Sequence, residues 1–214
     1  MDLEPPEGME ERKKFVQELK ESIEVIEKAA MDGAETVRRI QEFARKRKDD
    51  HYFSQVDIND LIDGSLEFTR IRWKNKSETK GIQINIQKEL SPLPPIAGSA
   101  SELREVFTNL INNALDAMPK GGHIKFKTSQ ENSHISIMVE DTGTGIPKDI
   151  KDKIFDPFFT TKGVQSTGLG MSVSYGIIKR HRGTIKVDSI KGEGTTFTIE
   201  LPISETTLVK QASL

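Results

Sequence analysis

No cysteine occurs among the 214 residues, so neither a disulfide framework nor a thiolate metal site is available to this fold. No apolar run is long enough to span a bilayer, and the N-terminus Met-Asp-Leu-Glu-Pro-Pro lacks the basic start and apolar stretch of a signal peptide. Together these absences lead us to expect a cytoplasmic protein, or the cytoplasmic portion of a larger, membrane-linked one. An excess of either charge is also missing: 31 Lys and Arg stand against 33 Asp and Glu, a net charge of -2, which supplies no overall basic field for nucleic acid. The basic cluster Arg45-Lys-Arg-Lys48 reads as a solvated helix end, where cations suit the helix dipole. What remains, 35% hydrophobic and 30% charged, suffices for one ordinary core plus an extended element.

Proline is absent from about residue 10 to 47, and apolar or small residues recur there at Val16, Leu19, Ile23, Ile26, Ala30, Gly33, Val37, Ile40 and Ala44. Alternating steps of three and four define the seam of a helical bundle or coiled coil. A helix packed on its own globular domain is the alternative, but a helix this long has little within one chain to bury its stripe against. Residues 1–50 are therefore expected to form a long helix with an intermolecular seam, residues 51–203 a globular domain, and residues 204–214 a flexible tail.

The globular part mixes helix and strand. A short helix is expected near Ile58 to Trp73, and Ile82-Gln-Ile-Asn-Ile86 alternates as a strand before Pro92, Pro94 and Pro95 interrupt the chain. Ser99 with Glu102 fits a capping box for a helix carrying Asn109-Leu-Ile-Asn-Asn113-Ala-Leu-Asp116. Leu103, Val106, Phe107, Leu110 and Ala114 share its apolar face; Glu105, Asn109, Asn113 and Asp116 follow on another face that must meet water or ligand. Strands are expected at His123–Thr128 and His134–Val139, a helix from about Gly168 to Lys179, and strands near Thr184–Asp188 and Thr195–Leu201. The stretch from Thr142 to Thr167 is glycine-rich, weakly periodic and long for a connection, and reads as a mobile lid.

Five boxes follow one another in order: the Asn-rich helix, Asp141-Thr-Gly-Thr-Gly-Ile-Pro147, Phe155-Asp-Pro-Phe-Phe-Thr-Thr-Lys162, Thr167-Gly-Leu-Gly170 and Gly192-Glu-Gly-Thr-Thr-Phe197. At these residues the chain resembles the ATP-binding catalytic domain of sensor histidine kinases, in the superfamily that includes gyrase-type and mismatch-repair ATPases. The resemblance covers roughly residues 10 to 203. It implies an α/β, more closely α+β, two-layer sandwich of a mixed sheet and helices, the Bergerat fold, preceded by the second helix of a dimerisation bundle.

The resemblance also implies roles. Asn113 offers its amide oxygen to a Mg²⁺ ion bridging the ATP phosphates, and Asp141 accepts the exocyclic amine of adenine. Gly143 and Gly145 allow close approach of the base, with Ile146 beside them. The nucleotide-binding set further includes Asn109, Asp116, Phe155, Lys162, Thr167, Gly168, Leu169, Gly170 and Thr195, and Asn109, Asn113 and Lys162 are the candidate catalytic residues. Thr195 is expected to support Asp141 through its hydroxyl, directly or by water, Ser166 or Thr167 to cap the helix, Phe155-Asp-Pro-Phe-Phe to serve as hinge and docking element of the lid, and Lys162 to meet phosphate charge. Asn109 stands where hydrolytic relatives carry a glutamate. An amide cannot act as a base, which favours phosphoryl transfer over hydrolysis.

In that family a first helix bears the phosphoacceptor histidine. Here the four histidines, His51, His123, His134 and His181, lack its context, being followed by Tyr52, Ile124, Ile135 and Arg182. His181 reads as a helix-end cation and the others as surface or strand residues. The expectation is a kinase core that starts after its acceptor, or that never had one, serving a histidine-bearing dimerisation segment and a response-regulator receiver domain, and homodimeric when intact. A serine kinase or ATPase of the same superfamily, and a non-catalytic ATP-sensing scaffold, stay open. Arg182 stands where relatives commonly have glycine, and the sequence offers no functional account of it.

Overall fold

A computed structural model of the chain describes residues 8, 12–27, 31, 33, 53–80, 82–162 and 166–203, without the side chains of residues 72, 73 and 75–80. The chain divides into two compact units, Met1–Asp49 and Asp50–Leu214. In the first, residues 12–27 are helical (α1), and the seam residues Val16, Leu19, Ile23 and Ile26 are exposed. The seam positions Ala30, Val37, Ile40 and Ala44, together with His51 and residues 204–214, lie outside the described residues.

The second unit runs β1 (Ser54–Val56), α2 (Ile58–Lys80), β2 (Ile84–Leu90), β3 (Ile96–Gly98), α3 (Ala100–Ala117), β4 (Gly122–Glu131), β5 (His134–Asp141), α4 (Gly170–Arg180), β6 (Thr184–Ile190) and β7 (Gly194–Pro202). Five strands form one sheet in the order β2-β4-β5-β7-β6; β1 and β3 make a separate antiparallel ribbon. The sheet is mixed, as expected, because β2 pairs parallel with β4 while the other pairs are antiparallel. A parallel pair needs a long crossover, and here it contains β3 and α3. Alternation then sorts the side chains. Ile124, Phe126, Ile135, Ile137, Val139, Phe197, Ile199 and Leu201 enter the core with the apolar face of α3, whose Leu103, Val106, Phe107, Leu110 and Ala114 are all buried. Lys125, Lys127, Glu140 and Glu200 fall on the opposite face of the sheet, which keeps its polar character.

Two elements outrun their expected bounds. α2 continues to Lys80 because Lys74-Asn-Lys-Ser-Glu-Thr-Lys80 contains no helix breaker before Gly81, even though its apolar period has ended. β2 starts and ends later than its alternation suggested; it is an edge strand, and Lys88 and Glu89 pair with Asp63 and Lys125 instead of entering the core.

The far ends of α3 and α4 depart further from expectation. Ser99 is the N-cap of α3, but its side chain accepts from the Glu102 N–H at a long 3.5 Å. The reciprocal arm of a capping box is replaced: the Ser99 N–H donates to Nε2 of His181 at 3.0 Å, and the Glu102 carboxylate receives Nη2 of Arg180 at 2.9 Å. His181 is thus no solvated helix-end cation. It is 3% exposed, stacked under Phe53 with ring centroids 4.7 Å apart, and its Nδ1 donates to the Ile177 carbonyl at 2.8 Å. An imidazole that donates at one nitrogen and accepts at the other is the neutral tautomer. Beyond it, Arg182 explains itself: the Gly183 N–H bonds the Ile178 carbonyl and the Arg182 N–H that of Lys179, the two bonds of a Schellman motif, with Arg182 left-handed at φ 55. Glycine is the residue that adopts this conformation at least cost.

Candidate nucleotide site

One edge of α3 carries the site's polar groups. Asn109 Nδ2 donates to the Gly170 carbonyl at 3.1 Å and to the Ser174 hydroxyl at 3.2 Å, so this amide ties α3 to the first turn of α4. One turn on, Asn113 directs Nδ2 to the Met171 sulfur at 3.0 Å and leaves Oδ1 to accept from Lys162 Nζ at 2.9 Å. Lys162 Nζ also lies 2.9 Å from Asp116 Oδ2. Asn113 and Asp116, three residues apart on a helix, therefore converge on a single cation. Lys162 comes to them from the loop between β5 and α4.

Asp141 ends β5, 7% exposed. Its Oδ1 accepts the Gly143 N–H at 2.8 Å, and the Thr195 N–H also bonds the carboxylate. Burial pushes the carboxyl up to about 6, against the opposing pull of those two N–H groups. Direct support from Thr195 thus comes through its backbone N–H, and its hydroxyl makes no direct bond to the carboxylate. The reason is register: Thr195 lies opposite Asp141 in the β5–β7 ladder, while its hydroxyl meets Ser189 Oγ at 3.0 Å.

Ser189 is a residue the sequence reading missed. Its hydroxyl donates to the Gly194 carbonyl at 2.7 Å and accepts the Ile146 N–H at 2.8 Å, pinning the loop after Asp141 to the β6–β7 hairpin. The alternation of β6 contained the available signal, since it sets Ser189 on the same face as Ile185 and Val187. Gly145 is left-handed at φ 64, and a Cβ there would run into the Ile190 carbonyl. At Gly143 a Cβ would stand 2.6 Å from that of Ala117.

Through residue 162 the lid segment is well anchored. It makes a 3₁₀ turn at Lys151–Lys153, buries Ile154, and packs Phe155 and Phe159 against the core. Phe155 also meets the Tyr175 ring of α4, centroids 5.4 Å apart. Two of the three phenylalanines therefore serve the core, and Phe158 alone is exposed, at φ 66. Residues 163–165 lie outside the described residues. Gly168, at φ 65, packs against the Phe158 and Phe159 backbone so closely that a Cβ would collide with it. Thr167 is half-buried, Leu169 is buried, and α4 starts at Gly170. Neither Ser166 nor Thr167 caps it: Leu169 holds the N-cap position with no side-chain cap bond, because the Gly168 turn sets both residues too far upstream.

These groups suit a polyanionic nucleotide. The cradle of Asn113 Oδ1 and the Asp116 carboxylate fits a hard cation, with the Lys162 ammonium as its stand-in. Among the described residues no cluster of three or more His, Cys, Asp or Glu could hold a metal by itself. A divalent ion bound here would take further ligands from phosphate and water.

Comparison with known proteins gives a consistent picture. A family model described as "Histidine kinase-, DNA gyrase B-, and HSP90-like ATPase" matches residues 98–205. The chain is 36% identical to the sensor kinase CckA of Brucella abortus (strain 2308), an alignment that takes in 83% of this chain and 20% of that relative's length. Among solved structures, full-length ShkA in complex with AMPPNP superimposes with a TM-score of 0.70 at 26% identity, covering 91% of this chain and 39% of that one. Histidine kinase ThkA in complex with the response regulator protein TrrA superimposes with a TM-score of 0.67 at 25% identity, covering 87% of this chain and 52% of that one.

Proposed function

The chain belongs to the family of histidine kinase-, DNA gyrase B- and HSP90-like ATPases, and from that premise we propose that it is the catalytic core of a sensor histidine kinase, binding Mg-ATP and passing the γ-phosphoryl group to a histidine. Asp141 takes the adenine amine. Guanine would set a carbonyl against this buried acceptor, a mismatch of about 1–3 kcal/mol that favours ATP over GTP. Gly143, Gly145 and Ile146 line the base, and Thr195 holds the Asp141 carboxylate by its N–H. The phosphates lie between the α3 edge and the start of α4, with Phe155, Thr167, Gly168, Leu169 and Gly170 shaping that end. Free N–H groups and the helix dipole favour anions there.

Asn113, with Asp116 beside it, would hold Mg²⁺, which when bound neutralises phosphate charge. Lys162 leaves their oxygens and turns to the phosphates. The observation that supports the reading best is this convergence of an amide oxygen and a carboxylate on one cation at the foot of α4. The amide at Asn109, spent on the Gly170 carbonyl and the Ser174 hydroxyl, brings no base to the γ-phosphate and so favours transfer over hydrolysis. The partners that follow are a histidine-bearing dimerisation segment, a response-regulator receiver domain and a second copy in a homodimer, acting at a cytoplasmic location.

Incubation with γ-labelled Mg-ATP and a separately supplied dimerisation segment tests this. Acid-labile, alkali-stable label on the segment, lost with Asn113→Ala, is the expected result. Acid-stable label would indicate a serine kinase, free phosphate alone an ATPase, and binding without turnover a sensor or scaffold; each would displace the proposal.

A further inference from the structure

α3 and α4 are joined at two places. Near the phosphate end, Asn109 bonds the Gly170 carbonyl and Ser174, and Asn113 reaches Met171. At the other end, His181 Nε2 accepts the Ser99 N–H and Arg180 pairs with the buried Glu102. The ten residues from Ser99 to Asn109 span about 15 Å along the helix. The two helices run antiparallel, with one joint at each end, and the distant joint constrains how far one helix can slide along the other.

His181 is held on every side. Its Nδ1 donates to the Ile177 carbonyl of its own helix, and Phe53 stacks on the ring. A Cβ on Gly98 would stand 3.0 Å from its Cδ2 and 3.2 Å from its Nε2, so the absence of a side chain at Gly98 makes room for the imidazole. Phe53 immediately precedes β1, which pairs with β3 just before Ser99. The residue before β1, the start of α3 and the end of α4 thus meet at one neutral ring.

We propose that His181 is a positioning residue that sets the α3–α4 register and thereby the spacing between the Asn109–Asn113 edge and the glycine-led start of α4. The inference rests on the nucleotide reading above. The adenine side at Asp141 is built on β5, β7 and the loop whose Thr144 N–H bonds the Ala117 carbonyl at the end of α3, so it moves with α3 and, among the described residues, has no bond to α4; phosphate binding needs α3 and α4 together. A change at His181 should therefore separate the two.

The test is titration of the full chain with adenosine and with Mg-ATP, for wild type, His181→Phe and His181→Gln. The phenylalanine keeps volume and stacking but loses both hydrogen bonds; the glutamine restores an acceptor for the Ser99 N–H. Ångström displacements of positioned groups carry large penalties, so His181→Phe is expected to weaken Mg-ATP by at least about tenfold. Adenosine should stay within about twofold, and His181→Gln should recover most of the loss by restoring that hydrogen bond. Equal weakening of both ligands, or of neither, overturns the proposal. Should His181→Phe fail to fold, Gly98→Ala, which crowds the ring without removing it, is judged by the same ratio. Should wild type bind neither ligand, the nucleotide reading falls, and the register is decided by the Asn109 side-chain amide signals in nitrogen–proton NMR. These shift in His181→Phe if the distant joint sets the register and stay in place if His181 acts only locally.

Discussion

Replacing Asp141 by asparagine should abolish nucleotide recognition and at the same time make the folded protein more stable at neutral pH. Burial raises the carboxyl from 3.8 to about 6, a difference of about 2 units, or roughly 3 kcal/mol. The native state binds the proton more tightly, so this stability is fully present below pH 4 and is lost as pH rises through about 6. The substituted amide would carry no charge to desolvate. It offers one acceptor oxygen to the two N–H groups of Gly143 and Thr195, at a cost of about 1 kcal/mol. The net gain at pH 7.5 is about 2 kcal/mol, or roughly 4–8 °C in Tm for a unit of this size. Below pH 4 the order should invert, with wild type ahead by about 1 kcal/mol, the hydrogen-bond term alone. Urea unfolding followed by fluorescence of Trp73, the single tryptophan and a residue of α2, at several pH values reads this directly. A variant less stable than wild type at pH 7.5, or a difference that does not move with pH, would refute the reasoning. Wild-type affinity for ATP should likewise fall as pH drops below about 6, where the carboxylate acceptor is lost.

Asn109→Asp sets a carboxylate against the Gly170 carbonyl and removes the donor, so ATP affinity should drop at least about tenfold with a loss of about 1–3 kcal/mol in stability; calorimetry and denaturant melts check both. Lys162→Met removes the ammonium from the Asn113 and Asp116 oxygens, and Mn²⁺ without nucleotide should broaden the Asn113 NMR signals more in the variant than in wild type. Arg182→Gly relieves the left-handed residue ending α4 and should raise stability by about 0.5–1 kcal/mol, seen as a Tm increase of a few degrees with unchanged ATP affinity.

Periodicity was the most legible part of the chain. Leu103, Val106, Phe107, Leu110 and Ala114 fell into the core because 3.6-residue spacing leaves few alternatives, and alternation in β4, β5 and β7 marked the sheet equally well. Groups whose roles depend on partners far along the chain were harder to read. Lys162 and Asn113 are 49 residues apart, Asn109 and Gly170 61, and Ser99 and His181 82. His181 was misread for that reason: beside a helix end its local context suggests a cation, whereas Gly98, Phe53 and Ser99 together make a slot that buries a neutral ring. Ser189 sits in an ordinary alternating strand, and only the fold brings the Ile146 N–H to it. The left-handed turn at Arg182 was masked by a residue type that rarely adopts it.

The β6–β7 hairpin also determines when a nascent chain can first hold nucleotide. Asp141, Asn109 and Asn113 have all been translated well before Ser189 and Thr195. Yet the loop after Asp141 is pinned by Ser189, and the carboxylate is bonded by the Thr195 N–H. Since chains are extended from the N-terminus at roughly 5–20 residues per second, the pocket around Asp141 stays incomplete for several seconds after that residue has been made. Ligand-assisted folding on the ribosome is therefore closed to this domain until β7 has emerged.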